Sequence, residues 1–151
     1  MAEHLGSQLS DALLSKLQKE QYVLLSTLDE KSGAPVVNAV SWVYAPDARH
    51  IKMAVGHKSR IVSNVKTNAR AAVTVIGPNS TYTINGKAAV TRQPMEDVTI
   101  KLAEITLEVE AVQDVMFYGA KISREPEYVK TYDQEAADKL DRQVMAALKK
   151  A

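Results

Sequence analysis

A chain of 151 residues, 46% hydrophobic and 25% charged, has the proportions of an ordinary soluble protein and is long enough to bury about two thirds of its unfolded surface around a single core. The absence of cysteine excludes a disulfide framework, a thiolate nucleophile and any zinc site built on sulfur. No apolar run approaches the roughly 18 residues of a membrane span, and the opening MAEHLGSQLSDALL lacks a basic segment followed by an apolar stretch and a cleavage site. The expectation is one domain over residues 1–151, cytoplasmic, with no membrane partner.

The first predicted element is a helix over about residues 10–20. Ser10 is placed to cap it, Asp11 lies in its first turn, and Leu13, Leu14 and Leu17 recur at helical spacing. Tyr22–Leu28 and Pro35–Tyr44, rich in β-branched and aromatic residues around a turn at 29–33, predict a hairpin; a turn at 45–49 and the run Ile51–Val55 extend it to three strands. A short helix follows over 58–66, then a buried-type strand over 71–76. The next strand, 81–90, carries a central glycine, Gly86, of the kind that marks a bulge or a bend.

Proline at position 94 suggests the first turn of a short helix over 94–103. Strict alternation predicts a strand over 105–111 with Thr106, Glu108 and Glu110 on its wet face, continued past a bulge by 115–119. A terminal helix over about 133–149 has a cap, early acids, late lysines and a docking stripe of Ala137, Leu140, Val144 and Leu148. Six antiparallel strands with short helices between and beside them predict a mainly β, α+β fold. A small closed barrel suits them better than a sandwich, because closure removes exposed edges.

The formal net charge of +1 hides a segregation. Between Ala48 and Met95 stand Arg49, Lys52, Lys58, Arg60, Lys66, Arg70, Lys87 and Arg92 with no acid at all, while both flanks are acidic. Such a block creates a positive potential unless the acidic carboxy-terminal segment or a second copy of the chain neutralises it.

The helix at 58–66 sharpens the point. With Ser59 as its cap, Arg60 falls in the first turn and His57 and Lys58 just before it. A helix amino terminus already carries roughly half a positive charge, so added cations there are unfavourable. A phosphate would offset them, accepting hydrogen bonds from the free amides, the Ser59 hydroxyl and the Arg60 guanidinium. The alternative is that Lys58 and Arg60 are solvated or paired with carboxy-terminal acids. Both glycine-rich nucleotide motifs, G-x-x-x-x-G-K-[ST] and G-x-G-x-x-G, are missing. Tyr82 is the only aromatic residue from Arg49 to Met95, which disfavours single-stranded nucleic acid. A cofactor with a phosphate tail and an aromatic ring is the more economical ligand.

The segment from Met53 to Val75, a strand, HKSRIVSNVKTNARAAV and a second strand, resembles the phosphate-binding S-R-x…L-x-x-N-P-x-A-A segment of the flavin-mononucleotide-binding split barrels related to pyridoxamine 5′-phosphate oxidase. The likeness extends over roughly residues 13–119. It departs from the pattern at Ala69, where proline is usual, and at Ile61, where that oxidase has a second cation. The resemblance implies a six-stranded split barrel that binds FMN, with Lys58, Ser59 and Arg60 on the flavin phosphate and His57 beside it or simply in the loop. It places Asn38, Ala39, Val40 and Ser41 along the isoalloxazine, with Ala54 and Val55 on the neighbouring strand. It also implies a homodimer with flavin between the subunits, in which Tyr118 of the second copy flanks the ring. Pyridoxamine phosphate oxidases carry an R-L-H type segment after that aromatic; here Lys121-Ile122-Ser123-Arg124 stands instead. The resemblance therefore carries the cofactor and leaves the substrate open.

Other catalytic constellations are weak. The three histidines form no H-E-x-x-H pair, and Glu108 and Glu110 share a strand face that is most simply solvated. Trp42 suits the core better than a cofactor contact. A flavin would explain this poverty, because it carries the redox chemistry and the protein need only bind, orient and tune it. The leading expectation is an FMN-dependent oxidoreductase acting on a small redox substrate. The alternatives are a non-catalytic flavin, haem or deazaflavin binder on the same barrel and, behind them, a nucleic-acid-binding protein.

Overall fold

The computed structural model describes residues 3–150. Its elements in chain order are β1 (Glu3–Gly6), α1 (Asp11–Lys16), β2 (Val23–Leu28), β3 (Pro35–Val40), β4 (Val43–Asp47), β5 (His50–Gly56), α2 (Arg60–Thr67), β6 (Arg70–Ile76), β7 (Thr81–Arg92), β8 (Leu102–Asp114) and α3 (Gln134–Lys149). One antiparallel sheet runs β3-β2-β6-β7-β8-β5-β4, and β1 pairs with β8. The expected antiparallel β architecture with short helices is present, with eight strands where six were predicted.

The two extra strands have separate origins. The predicted strand 35–44 is divided at Ser41 and Trp42, where the Ser41 carbonyl accepts the amides of both Val43 and Gln21 at 3.0 Å. This tight three-residue turn swings the chain from the β2–β3 hairpin across to the β4–β5 hairpin. β1 has no alternation to announce it; it exists because β8 is long enough to offer a partner at Val112–Asp114.

The region predicted as a helix over 94–103 is not helical. Leu102 and Ala103 pair with Gly56 and Val55 in the β5–β8 ladder, and the Met95 amide closes onto the Leu102 carbonyl at 2.8 Å. Pairing with β5 outweighs the local preference that Pro94 expressed. The predicted continuation 115–119 is also absent: β8 ends at Asp114, whose carboxylate accepts the Met116 amide at 3.0 Å and turns the chain away. The bulge at Gly86 is present as a register shift between Asn85 and Gly86. There the β8 backbone comes so close that a Cβ on residue 86 would lie 2.0 Å from the Glu108 carbonyl oxygen.

The interior of the barrel is filled by the inward residues of the strands, among them Val23, Leu25, Ile51, Met53, Val73, Val75, Ile84, Ile105 and Leu107, all fully buried, together with Leu13 and Leu17 of the first helical segment. A second apolar cluster lies under α3, where Val144, Ala147 and Leu148 meet Ala54, Met95 and Leu102. Ala137 is buried as well and Leu140 is partly buried, so the predicted stripe is the docked face. Thr106 is half-buried, with Glu108 and Glu110 exposed beyond it.

Candidate functional site

The end of β3, the turn into β4, the end of β5 and the start of α2 converge on one cavity of about 400 Å3, a size suited to a small-molecule ligand. Asn38, Ala39, Val40, Ser41 and Trp42 form one wall; Ala54, Val55 and Gly56 form the next, with Ser59 and Ile61 at the helix start. The Ala54 amide donates to the Trp42 carbonyl at 3.0 Å, which holds these two walls together. The structure thus gathers Asn38, Ala39, Val40, Ser41, Ala54, Val55 and Ser59 of the residues singled out in the sequence.

Ser59 occupies the cap position of α2 with extended backbone, yet its hydroxyl accepts no hydrogen bond from the helix. That oxygen is buried and has no partner of any kind among the described residues. The contrast with Ser10 and Asp133 is informative, since both cap their helices through their side chains. A buried hydroxyl without a partner costs free energy, of order 1–3 kcal/mol, and at a helix amino terminus it stands ready for an anion.

Lys58 and Arg60 are exposed, and their side chains make no hydrogen bond or ion pair with any described residue. Three other members of the basic block differ. Arg70 pairs with Glu110 at 2.6 Å, while Lys52 and Arg92 approach Glu104 at 3.9 and 3.6 Å. Neutralisation by carboxy-terminal acids therefore operates along β5, β6 and β7 and does not reach the start of α2. Arg60 lies near Asp29, whose carboxyl is held below the ordinary aspartate range by the amides of Ser32 and Lys31 and the Ser32 hydroxyl, with Arg60 adding to the effect. His57 is tied to the loop that faces it, its ring Nδ1 lying 3.2 Å from the Lys101 carbonyl. Neither His57, Lys58 nor Arg60 lines the cavity itself.

Tyr118 lies elsewhere. It is 98% exposed and borders a different, smaller cavity with Glu3, Ser80, Asp114, Met116 and Phe117.

Of the five lining residues not expected from the sequence, Trp42, Gly56, Ile61, Lys130 and Tyr132, three are informative. Trp42, expected in the core, does pack against the cluster under α3, but it also faces the cavity. Lys130 and Tyr132 come from the irregular segment between β8 and α3, which offers no periodicity to read. Lys130 reaches Asp141 of α3 at 3.0 Å and Glu20 at 3.2 Å, and its ammonium lies 5.6 Å from the Trp42 ring centre. Burial pulls the Lys130 pKa down, but the bonds to Asp141 and Glu20 outweigh it and leave it above the ordinary lysine value. Among the described residues no group of three or more His, Asp or Glu side chains is placed to hold a metal ion, and no helix is long and apolar enough to cross a membrane.

A family model described as pyridoxamine 5′-phosphate oxidase matches residues 9–146. No curated protein matches the sequence significantly. Among solved structures, the fold is similar to HupZ from Group A Streptococcus, with a TM-score of 0.59 at 14% identity over 76% of this chain and all of the other. It is also similar to a candidate pyridoxamine 5′-phosphate oxidase from Lactobacillus delbrueckii, with a TM-score of 0.61 at 17% identity over 73% of this chain and 98% of the other. An F420 reductase aligns with a TM-score of 0.54 at 20% identity over 65% of this chain and 93% of the other.

Proposed function

Since the chain belongs to the pyridoxamine 5′-phosphate oxidase family, we propose that it is an FMN-binding flavoprotein whose cofactor enters the cavity between β3, β5 and α2, and that it acts as an oxidoreductase on a small molecule. The observation that carries this reading is the Ser59 hydroxyl, buried and unpartnered at the amino terminus of α2 beside a cavity of about 400 Å3. A phosphate there supplies the missing hydrogen-bond partner and the negative charge that Lys58 and Arg60 call for.

In this reading the phosphate is held by the Ser59 hydroxyl, the first amides of α2 and the two exposed cations, with His57 at the edge. Asn38 to Ser41 and Ala54 to Val55 orient the ring system through backbone and short side chains. Trp42 and Ile61 exclude water from its apolar part. Bound flavin supplies the two-electron redox chemistry. A homodimer fits the exposed Phe117 and Tyr118, 67% and 98% accessible in the single chain, and would bring Tyr118 of a second copy toward the cavity. A nucleic-acid role is disfavoured, because three of the eight cations in the basic block already face carboxylates of the same chain.

The test is direct. The protein purified after expression in flavin-replete cells should carry the visible absorption of oxidised flavin, released as FMN on denaturation. Ser59→Ala with Arg60→Ala should lose that colour while the far-ultraviolet circular dichroism is unchanged. A colourless wild-type protein that fails to take up added FMN would refute the reading; a deazaflavin or haem spectrum would reassign the ligand.

A further inference from the structure

Among the described residues Lys130 is the one charged side chain that lines the cavity, and its surroundings are built. Its ammonium is fixed by Glu20 at 3.2 Å and Asp141 at 3.0 Å. Asp141 in turn accepts the Trp42 indole N–H at 2.8 Å, and Glu20 accepts the Tyr128 hydroxyl. All three charged members are largely shielded, with side-chain exposures of 18%, 22% and 17% for Lys130, Glu20 and Asp141. Two carboxylates against one ammonium leave the cluster with a net charge of −1.

The chain around Lys130 is held from several sides. The Ile122 amide donates to the Asn79 carbonyl at 2.8 Å, Glu125 pairs with Lys16, and the Tyr128 ring packs against Tyr22 with centroids 6.2 Å apart. These contacts fix the segment that carries Lys130 and Tyr132 to the cavity wall. A surface lysine is ordinarily a mobile, solvated charge. This one is held between two acids distant in the chain, Glu20 ahead of β2 and Asp141 on α3, and lies over the Trp42 ring.

We propose that the Lys130–Glu20–Asp141 cluster is a positioning and tuning device for the redox group in the cavity, in which Lys130 supplies a fixed positive charge to the cavity wall and the two acids set how much of that charge is felt. This rests on the flavin reading above. Lys130 stabilises negative charge that reduction deposits in the cavity, while Glu20 and Asp141 oppose it. Removing the ammonium and removing one carboxylate must then act with opposite sign. That pattern separates an electrostatic role from a merely structural one, because damage to the fold would move both variants the same way.

The experiment is the reduction potential of bound flavin, measured by equilibration with reference dyes in the wild type, Glu20→Gln, Asp141→Asn and Lys130→Met. Both neutralised acids should shift the potential upward and Lys130→Met should shift it downward, with Lys130→Arg restoring most of the wild-type value. The amide side chains keep an acceptor for Tyr128 or Trp42, and if Lys130→Met does not fold, Lys130→Gln, which keeps a polar head between the two acids, takes its place with the same downward shift expected. Unchanged potentials, or shifts of one sign in all variants, would overturn the proposal while leaving flavin binding intact. A wild type without flavin would overturn the reading beneath it as well.

Discussion

Asn64 of α2 donates its side-chain amide to the hydroxyl of Thr27 on β2 at 3.1 Å, and the two residues are 0% and 2% exposed. The other face of the same amide accepts the Glu30 backbone N–H at 2.9 Å. One polar side chain thus locks the helix that opens the candidate site against both a barrel strand and the turn that follows it. Replacing Asn64 with alanine leaves two groups without partners and a void, at about 2–4 kcal/mol. Urea unfolding should show that loss as a lower midpoint with an unchanged slope; a shift under about 0.5 kcal/mol would mean water replaces the amide.

Ser59 should behave in the opposite way. A capping serine replaced by alanine normally costs about 1 kcal/mol, but Ser59 makes no cap bond and its hydroxyl is buried without a partner. Ser59→Ala in the flavin-free protein should be neutral or slightly stabilising, while affinity for FMN falls by roughly 10-fold or more, the loss of one charge-assisted hydrogen bond. Calorimetry on the flavin-free form and flavin titration measure the two effects. A destabilisation of 1 kcal/mol or so would show the hydroxyl capping the helix after all.

Glu104 is 2% exposed on β8, where it accepts the Thr91 hydroxyl at 2.7 Å and faces Lys52 and Arg92. Those cations also donate to the carboxyl end of α3, Lys52 to the Lys150 carbonyl at 2.8 Å and Arg92 to the Lys150 and Ala147 carbonyls at 2.9 and 3.2 Å. The buried acid therefore anchors the cations that hold the end of α3. Glu104→Ala leaves the Lys52 and Arg92 cations, with side chains only 14% and 27% exposed, without the carboxylate they face, and should cost about 3–5 kcal/mol. Hydrogen exchange should quicken in α3 before it does in β6 or β7; uniform loss of protection would refute the anchoring role.

Asp114 gives a pH dependence of known sign. Its carboxyl is held below the ordinary aspartate value, first by the Ser80 hydroxyl at 2.6 Å and then by the Met116 amide. A depressed folded-state pKa means the unfolded chain binds the proton more readily. The contribution is thus complete above the ordinary aspartate value and disappears as pH falls through that range toward the folded pKa. Ser80→Ala should lower stability near neutrality and flatten the acid limb. Thermal melts from pH 7 down to about 3 test this; an unaltered acid limb would remove Asp114 from the account.

Most of the strands, the helix between β5 and β6 and the terminal helix were legible because each rests on local periodicity; β1 was not, since it has none. The β-branched run at 71–76 and the stripe of α3 needed no partner to be recognised. The errors have a common cause. Residues 94–103 read as a helix and 115–119 as a strand because local preference was the only guide, whereas pairing with β5 decided the first and the Asp114 carboxylate the second. The division at Ser41 was invisible for the same reason: it follows from a carbonyl that must also serve Gln21.

By itself, the amino-acid sequence determined that this protein is an antiparallel β fold with a basic, acid-free block around a helix start at Ser59, since alternation, helical spacing and charge are properties of neighbouring residues. Only the tertiary structure decided that the Ser59 hydroxyl is left buried without a partner, that Trp42 borders the cavity, and that Lys130 is carried back to it between Glu20 and Asp141. Each of these depends on segments distant in sequence being packed together, and burial and pairing are set by what surrounds a side chain and not by what precedes it in the chain.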